Sequence, residues 1–224
     1  PYTLHLVFFH LFSQEAHMNE LVSILKKLQE SSIQKTIQKR IKEFKDIDTG
    51  SAEELFKELS FCILTANFNS ERTISLHAAL HPCFCTDTKE TLAKKLKAHG
   101  YRFPNTRAAY ITESVVHKKH LPKFIQASEH DERRTWLVDT ITGLGYKEAS
   151  HFLRNIGFDD YAIIDFHILD ILERYRVIKR PKTLTAKKYR EIENILQDIA
   201  TQTNLTLAEL DLYLWYLETG KILK

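Results

Sequence analysis

The sequence predicts an all-α protein. Three observations carry this. Apolar residues recur at the three-and-four spacing of a helix face along nearly the whole chain. No convincing strand pattern interrupts them. The 224 residues include only six glycines and five prolines, too few for the turns of an all-β domain this size.

The elements follow in order. Leu21, Ile24, Leu25 and Leu28 mark one helix face, and Ile33, Ile37, Ile41 and Phe44 a second, basic helix. Ser51 with Glu54 forms a capping box ahead of Leu55, Phe56 and Leu59, and the FCILTA run that follows is apolar all round, hence buried. Helices are predicted over about 71–80, 88–98 and 106–118, with His81-Pro82 and Phe103-Pro104 as breaks. Trp136, Leu137 and Ile141 lie on the next helix. Ala149, Phe152, Leu153 and Ile156 lie on the one after, which Gly157 ends. Ile168, Leu169 and Leu172 follow, then Ile192, Ile195, Leu196 and Ile199. Thr206 with Glu209 opens the last helix and Gly220 stops it, for roughly ten helices in all. Residues 1–17 precede the only methionine, Met18, and read as a vector-derived extension.

Composition narrows the function classes. Hydrophobic residues at 43% and charged residues at 27% fit a globular domain rather than a disordered chain. No apolar run approaches the length of a membrane span. Cys62, Cys83 and Cys85 are too few for a disulfide framework or a four-thiolate metal site, which fits a reducing cytosol. No metal and no cofactor is expected. A formal charge of +3 permits a nucleic-acid partner without requiring one. The lysines and arginines at 26–42 and 118–119 read as solvated helix faces.

Chemistry concentrates between Thr142 and Asp165. A Gly143-Leu144-Gly145 turn joins two helices, and the exposed amides of such a hairpin can hold a phosphate without reading bases. Lys147 falls in the first turn of the second helix. The positive end of that helix disfavours another positive charge, and a neutral lysine amine is a Schiff-base nucleophile. A solvated surface lysine is the ordinary alternative. Asp165 lies eighteen residues on. A helix of about ten residues travels ~15 Å, and the stretch after it is long enough to return, so Lys147 and Asp165 can meet. Asp165 also suits a helix N-cap, and both roles are compatible.

The run GLGYKEASHFLRNIG, with IIDFH downstream and WYLETGKILK at the end, resembles the archaeal-type 8-oxoguanine DNA glycosylase/lyase family of the helix-hairpin-helix glycosylase superfamily. The resemblance spans Met18 to Lys224. It implies two helical lobes, 18–59 with 170–224 and 60–169, with the active site in a cleft between them. It implies excision of 8-oxoguanine from double-stranded DNA followed by strand nicking at the abasic site. Lys147 matches the nucleophile and Asp165 the catalytic aspartate. His167 matches a position near DNA phosphates, with a solvated first-turn histidine as the alternative. Asn67, in LTAN, matches the residue that fills the vacated base stack, or simply ends a buried helix. Trp215 and Phe103 match aromatic platforms for the purine, although aromatics at helical spacing are more often core. Asp211 is placed to accept purine N–H groups, or is a solvated carboxylate. Lys224, the last residue, matches a lysine that separates 8-oxoguanine from guanine, a position where chains ordinarily fray. Phe166 departs from the pattern, which commonly has a basic residue there. The absence of cysteine after Cys85 excludes the iron–sulfur branch. The expected state is a cytoplasmic monomer. A non-catalytic helix-hairpin-helix DNA-binding module and a helical adaptor are the competing readings.

Overall fold

A computed structural model describes residues 18–224. The expected extension, 1–17, lies outside the described residues. These form twelve α-helices and no strand. They are α1 (18–29), α2 (Ile33–Lys45), α3 (Ala52–Thr65), α4 (Ser70–Leu80), α5 (Lys89–Ala98), α6 (Pro104–Ser114), α7 (Leu121–Ala127), α8 (His130–Thr140), α9 (Tyr146–Asn155), α10 (Phe166–Arg174), α11 (Ala186–Thr203) and α12 (Leu207–Thr219).

The pattern reading anticipates every helix except α7, a short one that tolerates its proline because Pro122 sits in the first turn. The helix expected over 106–118 starts at Pro104 and tightens into a 3₁₀ turn at Val115–His117. Ser51 caps α3 by accepting from the Glu54 N–H at 3.2 Å. At α12 the box is reciprocal, the Glu209 carboxylate accepting from the Thr206 N–H at 2.8 Å. Gly157 closes α9 at φ +97°, where a Cβ would stand 3.1 Å from the Lys45 Cα. Its N–H bonds to the Arg154 carbonyl, and that of Phe158 to Leu153, satisfying two carbonyls that the helix end leaves open.

The chain divides into two compact units, one of residues up to Ile41 with Asp159–Ile222, the other of Lys42–Phe158 with Leu223–Lys224. The expected borders at 59/60 and 169/170 therefore fall elsewhere. The α3 helix belongs to the second unit because its apolar surface is buried there with α9: Leu55, Leu59, Ala149, Phe152 and Leu153 have no solvent exposure. Asp159–Tyr161 and the segment after it belong to the first unit because α11 and α12 supply their hydrogen bonds.

In the first unit, α10, α11 and α12 pack around Ile168, Ile171, Leu196, Ile199 and Leu210. In the second, α5 and α6 form a tightly packed pair, and α3 is a central helix touching α4, α6, α7 and α9. His77 of α4 is 5% exposed, edge-on to Phe61, and donates from Nε2 to the Lys57 carbonyl at 2.9 Å. Burial holds its imidazole down at about 3, against the weaker upward pull of that hydrogen bond.

The folded protein thus keeps His77 neutral, whereas the unfolded chain takes up a proton below about 6.5. The stability this confers is intact above pH 6.5 and is lost as pH falls toward 3, at up to about 1.4 kcal/mol per unit. Urea unfolding of wild type and His77→Asn at pH 7.5 and 5.0 checks this. The variant is expected to be less stable at pH 7.5 but to lose less on acidification.

Candidate active site

The hairpin joins α8 to α9 in the second unit. Gly143 has φ +91°, and a Cβ there would lie 2.2 Å from the Tyr110 ring, so the ring of α6 packs directly under the turn and only glycine fits. The Leu144 N–H closes the turn onto the Ile141 carbonyl at 3.1 Å. Gly145 is the N-cap of α9. Buried Arg134 of α8 reaches Ser150 of α9 at 3.3 Å, fixing the two helices of the motif to each other.

Lys147 occupies the second position of α9, with 24% of its side chain exposed. Its ammonium lies 3.8 Å from the Glu148 carboxylate, too long for a strong ion pair. Around it is a buried polar group that sequence reading did not single out. Glu58 of α3 is 1% exposed, and its two oxygens accept from Lys224 Nζ at 2.5 Å and Asn155 Nδ2 at 3.3 Å. The Lys224 ammonium also lies 4.8 Å from the Phe61 ring centroid. Burial, then the charges of Arg154, Lys147 and Lys224, drives His151 well below the ordinary histidine range. Burial and the Glu58 charge push the Cys62 thiol far up, so it is not a nucleophile. The charges of Lys147 and Lys224 both bear on Cys62 and His151. Glu58 sits on the apolar face of α3, and a carboxylate within an apolar stripe is the signal that marks it.

Asn67 is exposed just past α3 at φ +58°. It does end a buried helix. The Tyr101 hydroxyl on the Leu64 carbonyl at 2.7 Å and Arg107 on the Ala66 carbonyl at 3.1 Å pin the loop that presents it. Phe103 is the N-cap of α6, 36% exposed, with the Arg102 guanidinium 4.9 Å from its ring. It is therefore a surface aromatic rather than core.

Asp165, His167, Asp211 and Trp215 lie in the first unit. The extended stretch before Asp165 is buried, and α11 supplies its hydrogen bonds. The Tyr189 hydroxyl donates to the Ala162 carbonyl at 2.7 Å and accepts from the Ile164 N–H at 3.1 Å. The Glu193 carboxylate accepts from the Ala162 N–H at 3.1 Å. Asp165 then caps α10, its Oδ1 accepting from the Ile168 N–H at 3.0 Å. Tyr189 and Glu193 thus position the aspartate, and nothing in local spacing announces them.

His167 is half-buried rather than a fully solvated first-turn residue. Its ring stands edge-on to Trp215 at 4.6 Å and lies 3.9 Å from Phe166, which is 59% exposed. The Trp215 indole N–H is buried and meets no acceptor among the described residues. Asp211, one turn earlier, lines a small apolar cavity with Ile163, Ile168 and Leu214. Among the described residues, no group of three or more histidine, cysteine and acidic side chains is arranged to hold a metal.

Residues 37–205 match the profile of a family described as 8-oxoguanine DNA glycosylase. The chain belongs to that family. The 8-oxoguanine DNA glycosylase/AP lyase of Methanocaldococcus jannaschii is 49% identical over 206 residues, 91% of this chain and 99% of the relative. That of Korarchaeum cryptofilum is 47% identical over 212 residues, covering 92% and 99%. The crystal structure of the M. jannaschii enzyme in complex with a 15mer DNA containing 8-oxoguanine is similar at a TM-score of 0.88 and 48% identity, over 92% of this chain and 100% of that one. The Thermotoga maritima 8-oxoguanine DNA glycosylase gives 0.86 at 38% identity, with 92% and 100% covered. The all-α reading and the family resemblance hold, and no described helix is long and apolar enough to cross a membrane.

Two stability outcomes follow from this glycosylase-family geometry. Asparagine caps a helix about as well as aspartate, so Asp165→Asn is expected to leave the melting temperature nearly unchanged, while Asp165→Ala loses about 1 kcal/mol. Gly143→Ala meets both the left-handed backbone and the Tyr110 ring, and is expected to cost about 1–3 kcal/mol. Thermal unfolding of the three variants beside wild type measures both.

Proposed function

We propose that this protein excises 8-oxoguanine from double-stranded DNA and nicks the abasic strand, with Lys147 as the nucleophile. The observation that carries this reading is a lysine in the first turn after a glycine-forced hairpin, in a chain of this family. The Lys147 amine attacks C1′ of the deoxyribose and the oxidised base departs with the electrons of the glycosidic bond. The amine loses its proton, the sugar ring opens, and a Schiff base forms between Nζ and C1′. Loss of a C2′ proton then expels the 3′ phosphate by β-elimination.

The Asp165 carboxylate stabilises the cationic charge that develops on the sugar as the base leaves. Its cap bond from the Ile168 N–H occupies one oxygen and fixes the orientation of the group. The hairpin amides around Gly143 and Gly145 hold backbone phosphate, with His167 as a further phosphate contact. The target nucleotide leaves the stack before it can be attacked, and Asn67 fills the gap. Trp215 and Phe103 provide faces for the purine. Asp211, Lys224 and the open Trp215 indole N–H supply polar contacts. The protein works as a monomer in the cytoplasm, with the chromosome.

Borohydride trapping on a duplex carrying a single 8-oxoguanine tests this, beside Lys147→Gln and an unmodified guanine duplex. A covalent adduct that needs both the lesion and Lys147 is expected. Asp165→Asn should slow base release by about 10²-fold or more at unchanged stability. Salt-sensitive binding with neither adduct nor base release would leave a DNA-binding module.

A further inference from the structure

We infer that Glu58 is the socket that holds the Lys224 ammonium in one place and thereby sets discrimination between 8-oxoguanine and guanine. The inference rests on the reading of Lys224 as a base-contacting residue. Glu58 is then a positioning residue that acts through Lys224.

Glu58 is itself costly to the fold. It is 1% exposed, on a helix face it shares with the unexposed Leu55, Leu59 and Cys62. A carboxylate there is tolerated only when paired and hydrogen-bonded, and an apolar side chain of similar size would serve stability as well or better. What Glu58 contributes is therefore to be sought in what it holds rather than in stability.

Both carboxylate oxygens are engaged, Oε1 by Lys224 at 2.5 Å and Oε2 by Asn155 at 3.3 Å. Asn155 is fully buried at the end of α9, the helix whose first turn carries Lys147. The Phe61 ring, 4.8 Å from the ammonium, adds a second wall. Glu58 is thus referenced to the same rigid helix as the nucleophile. Leu223 and Lys224 also pack with the second unit, although the chain up to Ile222 packs with the first.

The two bases differ in what they offer an ammonium. Guanine presents N7 as an acceptor and carries hydrogen at C8. 8-Oxoguanine presents N7–H as a donor and O8 as an acceptor. A lysine with a free four-carbon stem would swing to whichever acceptor is present, N7 in one base or O8 in the other. An ammonium pinned by a carboxylate and a ring has one donor spent and the others held in fixed directions. It then favours one acceptor position, and position becomes selectivity.

The experiment compares kcat/KM for base release from duplexes carrying 8-oxoguanine or guanine opposite cytosine. Wild type, Glu58→Gln, Lys224→Gln and the double variant are measured, with melting temperatures alongside. Glu58→Gln is expected to lose at least about tenfold of the preference for 8-oxoguanine, and the double variant to be no worse than the worse single one. A lower melting temperature with the preference intact would mean that Glu58 serves the fold alone, and overturns the inference. So would losses that multiply in the double variant. Should Glu58→Gln fail to fold, Glu58→Asp keeps the charge and retracts it by one methylene. A several-fold loss of preference is then expected, and an unchanged preference rejects the socket. A wild type that releases neither base rejects the enzymatic reading and the role of Glu58 with it. Loss of preference in Lys224→Gln but not at position 58 rejects the socket alone.

Discussion

A buried backbone must find hydrogen-bond partners, and in an all-helical protein an extended segment has no neighbouring strand to supply them. Residues 161–164 are such a segment: all four are buried and none is helical. The Tyr189 hydroxyl serves a carbonyl and an N–H, and the Glu193 carboxylate serves another N–H. That anchoring makes the segment a fixed lead-in to α10 rather than a loop. Its last consequence is Asp165, delivered at the helix start with its carboxylate oriented by the Ile168 N–H. The proposed stabiliser of the sugar cation is therefore held through α11, the next helix in the chain. A preorganised carboxylate of this kind needs little rearrangement as charge develops.

The second unit meets the opposite problem, charge inside an apolar core. Glu58 brings a carboxylate among leucines, and Asn155 and Lys224 answer it. Nearby, His151 and His77 remain neutral because burial outweighs every opposing contact. The neighbourhood of Lys147 therefore mixes cations, one buried carboxylate and neutral imidazole. The hairpin itself is fixed by packing rather than charge, since the Tyr110 ring fills the space a side chain at Gly143 would need. Fold stability and chemistry share α9. Its apolar face fills the core with α3, while its two ends carry Lys147 and Asn155.

Much of this was legible in advance because helical periodicity is a local property. The apolar positions of α3, α9 and α11 named themselves, and the caps at Ser51, Thr206 and Gly157 marked element ends. The α7 helix escaped because seven residues give too little periodicity to count, and its proline resembled a break. The unit borders escaped because α3 carries apolar residues that suit either unit, and only packing chooses between them. His167 could not be assigned between solvent and site from spacing. Its ring contact with Trp215 is a long-range fact.

The sequence alone determined the helical class, the glycine hairpin with Lys147 behind it, and the cap at Asp165. Each follows from residues within a turn or two of one another, where conformational preference and capping act. Only the tertiary structure decided that Tyr189 and Glu193 hold the approach to Asp165, that Tyr110 forbids a side chain at 143, and that Glu58 receives Lys224. Those contacts join residues 25 to 166 positions apart. Such pairs form when burial strips water from polar groups and leaves them to find one another. No local pattern encodes which partner that will be.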